Sequence, residues 1–176
     1  MEPISAGYFR QVMGHFVTGV SVVTALDGDR PAGITVNALS SVSLDPPLVM
    51  IALDRSRVIT PVVRSSGRYA VNILGDGQQA LSDCFANAPV SPGRDEFCGA
   101  AWQHGPTGQP ILDGAIASLE CTIVETFSAG DHDLFIGRVD ALTTGPAAPE
   151  PLLYFRRHYV SIERAATARV EGKPEG

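Results

Sequence analysis

The first apolar positions fall at helical spacing: Phe9, Val12, Met13 and Phe16 stand at i, i+3, i+4 and i+7. Ser5 is placed to cap them, predicting a short helix through about Phe16. The pattern then changes. Val17 to Leu26 (VTGVSVVTAL) is β-branched and predicts a strand, and Asp27-Gly28 a tight hairpin turn. Ala32 to Leu44 is a second extended segment, whose small and hydroxyl side chains offer hydrogen bonds rather than bulk. Asp45-Pro46-Pro47 stops it, because proline cannot donate to a ladder. Leu48 to Leu53 (LVMIAL) is continuously apolar and predicts a strand buried on both faces.

A polar turn over Asp54 to Arg57 leads into a helix around Val58 to Ser65, with Gly67 at its C-cap position. Tyr69 to Leu74 predicts another strand, and Gly75-Asp76-Gly77 opens a helix through about Asn87. Ala88 to Gly114 is rich in proline and glycine, and irregular stretches of that length are often functional. Ile116 to Phe127 alternates, with Ala117, Leu119, Cys121 and Ile123 on one face. Ser128 to Asp131 forms a turn, His132 to Leu142 a strand, and Tyr159 to Ile162 a last short one.

About seven strands with three short helices, all in the first half, predict a mainly β protein: an antiparallel barrel with peripheral helices, not a doubly wound parallel sheet. With 176 residues the chain reads as one domain over 1–165 and a polar tail over 166–176. Hydrophobic residues at 44% against 18% charged exclude a disordered chain. A net charge of -6 argues against nucleic acid as a partner. No run reaches the roughly 18 apolar residues of a membrane span, and no basic segment precedes an apolar one at the N-terminus. A cytoplasmic protein without membrane attachment is expected. The three cysteines, with no C-x-x-C pair, are expected as reduced thiols, with Cys121 inside a strand. The four histidines are scattered and give no metal-ligand spacing.

Several clusters could carry chemistry. Gly75 to Ala80 matches G-x-G-x-x-A, with Asp95 about twenty residues on. No βαβ unit surrounds it, so it reads as a strand-to-helix turn. Thr35, Asn37, Ser40, Ser41 and Ser43 would suit a planar heteroaromatic ring, which needs edge donors and acceptors and little bulk over its face. Arg55-Ser56-Arg57 could hold a phosphate. Gly130-Asp131-His132 opens a strand, and Leu153 to Tyr159 concentrates aromatic and basic groups. No G-x-S-x-G, zinc-deaminase or Walker lysine motif occurs.

Five segments, in order and spacing, carry a resemblance: Phe16 to Thr24 (FVTGVSVVT); Gly33 to Val49 (GITVNALSSVSLDPPLV); Ser66 to Leu74 (SGRYAVNIL); Leu81-Ser82 with Phe85-Ala86; and Gly130-Asp131-His132 with Gly137-Arg138-Val139. Together they resemble the short-chain flavin reductases, the reductase components of two-component flavin-dependent monooxygenases. That resemblance implies an FMN-binding split β-barrel, Greek-key-like and homodimeric. It implies hydride transfer from NADH or NADPH to FAD or FMN, with reduced flavin supplied to a separate monooxygenase. It puts Thr35, Val36, Asn37, Ala38, Ser40 and Ser41 against the isoalloxazine and ribityl chain, and Ala52, Leu53, Asp54, Arg55, Ser56 and Arg57 near the flavin phosphate. Phe85 falls near the flavin's outer part. His132, with Asp131, falls at the nicotinamide, with Tyr154 and Arg156 as neighbours. Members often read Arg-Ser-Ser-Arg-Thr after the third strand. Here Arg57 could replace a hydroxyl by charge, or Thr60 could be shifted into place, so the phosphate contact and the choice of flavin stay open. A flavin- or haem-binding barrel without turnover is the alternative.

Overall fold

A computed structural model describes residues 3–87, 97–145 and 150–162. The expected tail and Asp95 lie outside them. Helix α1 (Ala6–Met13) starts where Ser5 accepts the Tyr8 N–H at 3.2 Å, the cap expected from sequence. None of its residues is buried, so the apolar stripe faces outward. The β-branched run that follows forms β1 (Thr18–Gly19) and β2 (Ser21–Asp27), interrupted at Val20, whose N–H reaches Leu152 O. A hairpin at Gly28 leads to β3 (Arg30–Val36), paired with β2 from Asp27↔Arg30 to Ser21↔Val36.

The single extended segment expected over Ala32 to Leu44 is instead two strands. β3 ends at Val36, and β4 (Leu39–Leu44) begins after Asn37-Ala38. β4 pairs with β5 (Pro47–Asp54) across the proline turn. β5 alternates rather than being buried on both faces: Val49, Ile51 and Leu53 point into the core, while Leu48, Met50 and Ala52 are partly exposed. Then come α2 (Ile59–Ser66), β6 (Arg68–Ile73), a 3₁₀ turn over Asp76–Gln78 and α3 (Gln79–Asn87). The Gly75 to Ala80 motif thus links β6 to α3, and β6 runs antiparallel to β2, so no dinucleotide-type βαβ unit is built.

The stretch expected as irregular contains a small hairpin, β7 (Trp102–His104) with β8 (Pro110–Leu112). Two long strands, β9 (Ala117–Ala129) and β10 (His132–Thr144), form the largest hairpin, followed by β11 (Leu153–Phe155) and β12 (His158–Val160).

The main sheet runs β3-β2-β6-β9-β10-β5-β4, with antiparallel neighbours throughout. Its outer strands, β3 and β4, are joined by only two residues. The sheet must therefore curl until its two edges meet at Asn37-Ala38, yet no ladder joins β3 to β4. This is the geometry of a split barrel. Both faces of β2 are covered. Val23 and Ala25 join Ile51, Leu53, Val63, Tyr69 and Phe135 in one core, while Val22 joins Leu74, Phe85, Leu112 and Leu152 in a second core beneath α3. The glycine at 33 lets α3 approach: a Cβ there would lie 2.6 Å from the Phe85 ring.

Cys84 and Cys98 form a disulfide, Cα atoms 6.0 Å apart, which corrects the expectation of three free thiols. Their pairing follows from tertiary packing of α3 against the 3₁₀ turn at Phe97–Gly99, which no local spacing reveals. Cys121 is the buried free cysteine in β9, as expected. Among the described residues no cluster could hold a metal ion, and no helix is long and apolar enough to cross a membrane.

Candidate functional site

The seam of the barrel opens into a cleft of about 200 Å³. The end of β3 with Asn37 and Ala38 forms one wall, β5 from Ala52 to Asp54 with Arg57 the other, and His132 of β10 stands beside them. Strand register explains the grouping, because His132 pairs with Asp54 and Leu134 with Ala52. The cleft therefore gathers Thr35, Val36, Asn37, Ala38, Ala52, Leu53, Asp54, Arg57 and His132 from the sequence-predicted set.

Its chemistry suits a flat polar heterocycle. Ala38 and Ala52 leave room over the wall. Because the chain is crossing between sheet edges at Asn37-Ala38, the N–H groups of both residues and the Asn37 side chain find no hydrogen-bond partner among the described residues. Unpaired donors beside small side chains are what the carbonyl edge of such a ring requires. The Thr35 hydroxyl has another task. It donates to Ser82 O at 2.7 Å and ties α3 to β3. Ser40 and Ser41 lie outside the cleft, exposed on β4, with the Ser40 hydroxyl donating to Ser41 O.

The turn after β5 is a closed unit. The Asp54 carboxylate accepts the Ser56 N–H and the Ser56 hydroxyl, each at 2.8 Å. These two bonds, helped by His132 and Arg57 nearby, hold its carboxyl below the usual carboxylate range. Thr60 is buried, and its hydroxyl donates to Asp54 O at 2.7 Å. Neither Ser56 nor Thr60 has a hydroxyl proton left to donate, so Arg57, whose guanidinium donates no hydrogen bond within the described residues, is the free group for an anion in this cleft.

Arg55 faces the other way. Its guanidinium donates to Gly130 O and lies 4.0 Å from the Asp133 carboxylate, while its own N–H reaches Asp131 O at 3.0 Å. Asp133 is wholly buried, accepts the Ser128 hydroxyl at 3.2 Å and is ion-paired with Arg64 of α2. Asp133, Arg55 and Arg64 thus pin the Gly130-Asp131-His132 turn onto the Asp54–Arg57 turn. His132 Nδ1 lies 2.7 Å from the Asp131 carboxylate, and this hydrogen bond is the main cause that lowers the Asp131 carboxyl.

A second cavity of about 340 Å³ adjoins the first, sharing Thr35, Val36 and Asn37. Tyr154 lines it, opposite α3. Tyr159 donates to Asp83 at 2.8 Å and meets the Ser82 hydroxyl at 2.9 Å, which joins β12 to α3. Burial, outweighing the Ser82 contact, raises the Tyr159 phenol. Arg156 lies elsewhere, in a third cavity against α1. Phe85 does not reach the surface of the cleft: it is 1% exposed, with its ring edge-on to Phe97.

Sequence reasoning missed Ser82, Asp83 and the Asp133–Arg64 pair. Arg64 and Asp133 are 69 residues apart, and nothing local marks them. Tyr159 could have been found, since it ends the aromatic and basic cluster.

Known proteins share this architecture. The sequence pattern of the flavin reductase like domain matches residues 13–163. The reductase subunit HsaB of a flavin-dependent monooxygenase from Mycobacterium tuberculosis is 35% identical over 160 residues, covering 90% of this chain and 83% of HsaB. The NADH-dependent FMN reductase AsuE2 of Streptomyces nodosus subsp. asukaensis is 39% identical over 157 residues, covering 88% and 84%. Among solved structures, the Streptomyces globisporus NADH:FAD oxidoreductase SgcE6 in complex with NAD and FAD fragments superposes with a TM-score of 0.84 at 34% identity, covering 95% of this chain and 100% of that one. By profile, sequence and fold alike, the chain belongs to the flavin reductase-like family.

Proposed function

We propose that the seam cleft holds the flavin of an NAD(P)H:flavin oxidoreductase and that His132 meets the nicotinamide of the reductant. One observation carries this reading. The cleft sets unpaired amide donors at Asn37 and Ala38 opposite Arg57 and beside His132, across a wall of small side chains. When both cofactors are bound, they supply the chemistry, a hydride passed from nicotinamide to flavin. The protein binds and orients. The Asn37 and Ala38 N–H groups suit the ring edge where negative charge develops. Arg57 is placed for the flavin phosphate, answering by charge where a hydroxyl would otherwise serve. His132, held by Asp131, positions the reductant's ring. Relatives named as FMN and FAD reductases and as a monooxygenase reductase subunit support the same reaction here, with reduced flavin passed to a separate oxygenase.

The exposed apolar residues of α1 and the turn after it, with Tyr8 62%, Phe9 57% and Phe16 69% exposed, fit a second copy of the chain, in keeping with a homodimer. A cytoplasmic setting supplies the reduced dinucleotide. The test is anaerobic mixing of purified protein, NADH and FMN or FAD. Catalytic bleaching of flavin with stoichiometric loss of NADH is expected. Flavin uptake without bleaching would make the protein a carrier.

A further inference from the structure

Helix α3 is held from two sides. Ser82, Asp83, Ala86 and Asn87, at i, i+1, i+4 and i+5, turn one helical face to the cavity of about 340 Å³. On that face the Thr35 hydroxyl donates to Ser82 O at 2.7 Å, and the Tyr159 phenol meets the Ser82 hydroxyl and the Asp83 carboxylate. All three hydrogen bonds engage Ser82 and Asp83, ahead of the last turn of the helix. Cys84 stands on the opposite face and is bonded to Cys98. That bridge is the covalent anchor of the turn that carries Ala86 and Asn87 into the cavity wall.

Two features mark the bridge as exchangeable. Cys84 and Cys98 are both partly exposed, so a reductant in solution can reach them, whereas Cys121 is buried. The Cys98 end also sits on disfavoured backbone. Phe97 and Cys98 have φ of 27° and 58°, in the left-handed region where a Cβ is crowded. The Phe97 ring is fixed independently of the sulfur atoms: it is buried, edge-on to Phe85 at 5.1 Å and to Trp102 at 5.9 Å. The turn therefore keeps its packing when the bridge opens, and Cys98 is free to relax. Exposed or strained disulfides are the labile ones, and in a reducing compartment such as the one proposed above a disulfide is usually redox-sensing rather than a permanent staple.

We infer that Cys84–Cys98 is a thiol–disulfide switch that sets the last turn of α3 and, through it, the wall of the cavity beside the seam. A dithiol opens it by exchange. The Sγ–Sγ bond breaks, two electrons and two protons pass to the protein as two thiols, and the dithiol closes to its own disulfide. Exchange with a disulfide of the glutathione class runs the same step in reverse. The consequence for activity rests on the reductase reading given above, because the cavity shares Thr35, Val36 and Asn37 with the seam cleft. The bridged form is the more active reductase.

The full chain is treated with dithiothreitol under native, anaerobic conditions, freed of reductant, alkylated and peptide-mapped. Cys84 and Cys98 are expected to be blocked before treatment and alkylated after it, with Cys121 protected until the chain unfolds. Hydrogen exchange in the last turn of α3 is expected to quicken about tenfold in the reduced form. kcat/KM for NADH with FMN as acceptor is expected to fall about three- to tenfold and to recover with glutathione disulfide. Cys84→Ser with Cys98→Ser should show the reduced values with no response to dithiothreitol. Cys98→Gly, which also suits the left-handed backbone, keeps the test available if the serine pair fails to fold. A bridge that resists the dithiol until unfolding, thiols that stay open in glutathione disulfide, or a reduced form that matches the bridged one in either α3 exchange or NADH kinetics overturns the switch. Absence of NADH oxidation in both forms would instead remove the reductase reading, while alkylation and hydrogen exchange still decide whether the bridge opens and frees α3.

Discussion

Replacing Asp133 with asparagine isolates the charge that holds the two site turns together. The carboxylate is wholly buried, with Arg64 ion-paired to it, Arg55 at 4.0 Å and the Ser128 hydroxyl at 3.2 Å. Breaking a buried ion pair by removing one partner costs about 3–5 kcal/mol. Here the arginine side chains are 44% and 54% exposed and recover hydration when released, so about half that range, ~1.5–2.5 kcal/mol, is expected. In a chain of this length that lowers Tm by roughly 3–10 °C. Urea unfolding followed by tryptophan fluorescence checks the loss, and an unchanged m-value shows that the folded state is still compact. The same variant loosens Arg55 from Gly130 O and hence the His132 turn, so KM for NADH rises more than Kd for FMN. A loss below about 0.5 kcal/mol, with both constants unchanged, would refute the reasoning.

Three further outcomes follow from the geometry. Gly137→Ala would put a Cβ 2.2 Å from the Tyr69 hydroxyl and 2.9 Å from Cys121 Cβ, both buried in the core, and a loss of about 1–3 kcal/mol is expected by thermal unfolding. The Asp54 and Asp131 carboxyls are both lowered, by the Ser56 hydrogen bonds and by His132 respectively. A lowered folded value means their contribution is present above the ordinary carboxylate range and lost as pH falls through the folded value. Stability to urea should therefore hold through and above the ordinary carboxylate range on their account, and the loss due to these two groups should set in only as pH falls below it. Phe9→Ser with Phe16→Ser cuts back the exposed apolar patch of α1 and the turn after it, and sedimentation velocity should show the proposed dimer giving way to monomer.

Much of this was legible in the sequence, and the omissions share a cause. The β2–β3 and β9–β10 hairpins followed from local patterns, because Asp27-Gly28 and Gly130-Asp131 each sit between β-rich runs. The break at Asn37-Ala38 did not. The residues on either side remain extended, and what ends β3 is the crossing from one sheet edge to the other, a property of topology. Leu48 to Leu53 predicts burial on both faces because its outward residues are apolar too, yet Ala52 borders the cleft. The helical stripe of α1 was correctly spaced, but spacing does not say which side faces the core. The Thr35 hydroxyl looked available for a ligand, and only tertiary packing showed it bonded to Ser82 O. The Asp133–Arg64 pair and the Cys84–Cys98 link depend on contacts that bring distant segments together, and neither has a local signature.

The central claim is that reductant and flavin meet between His132 and Asn37. Anaerobic rapid mixing of flavin-loaded His132→Ala with increasing NADH tests it most directly. The expected result is a roughly tenfold rise in the NADH concentration that gives half-maximal bleaching, with the separately measured flavin Kd within about twofold of wild type. A bleaching curve that overlays wild type, or a flavin Kd that weakens as much as the NADH dependence does, would contradict the placement of the nicotinamide at His132.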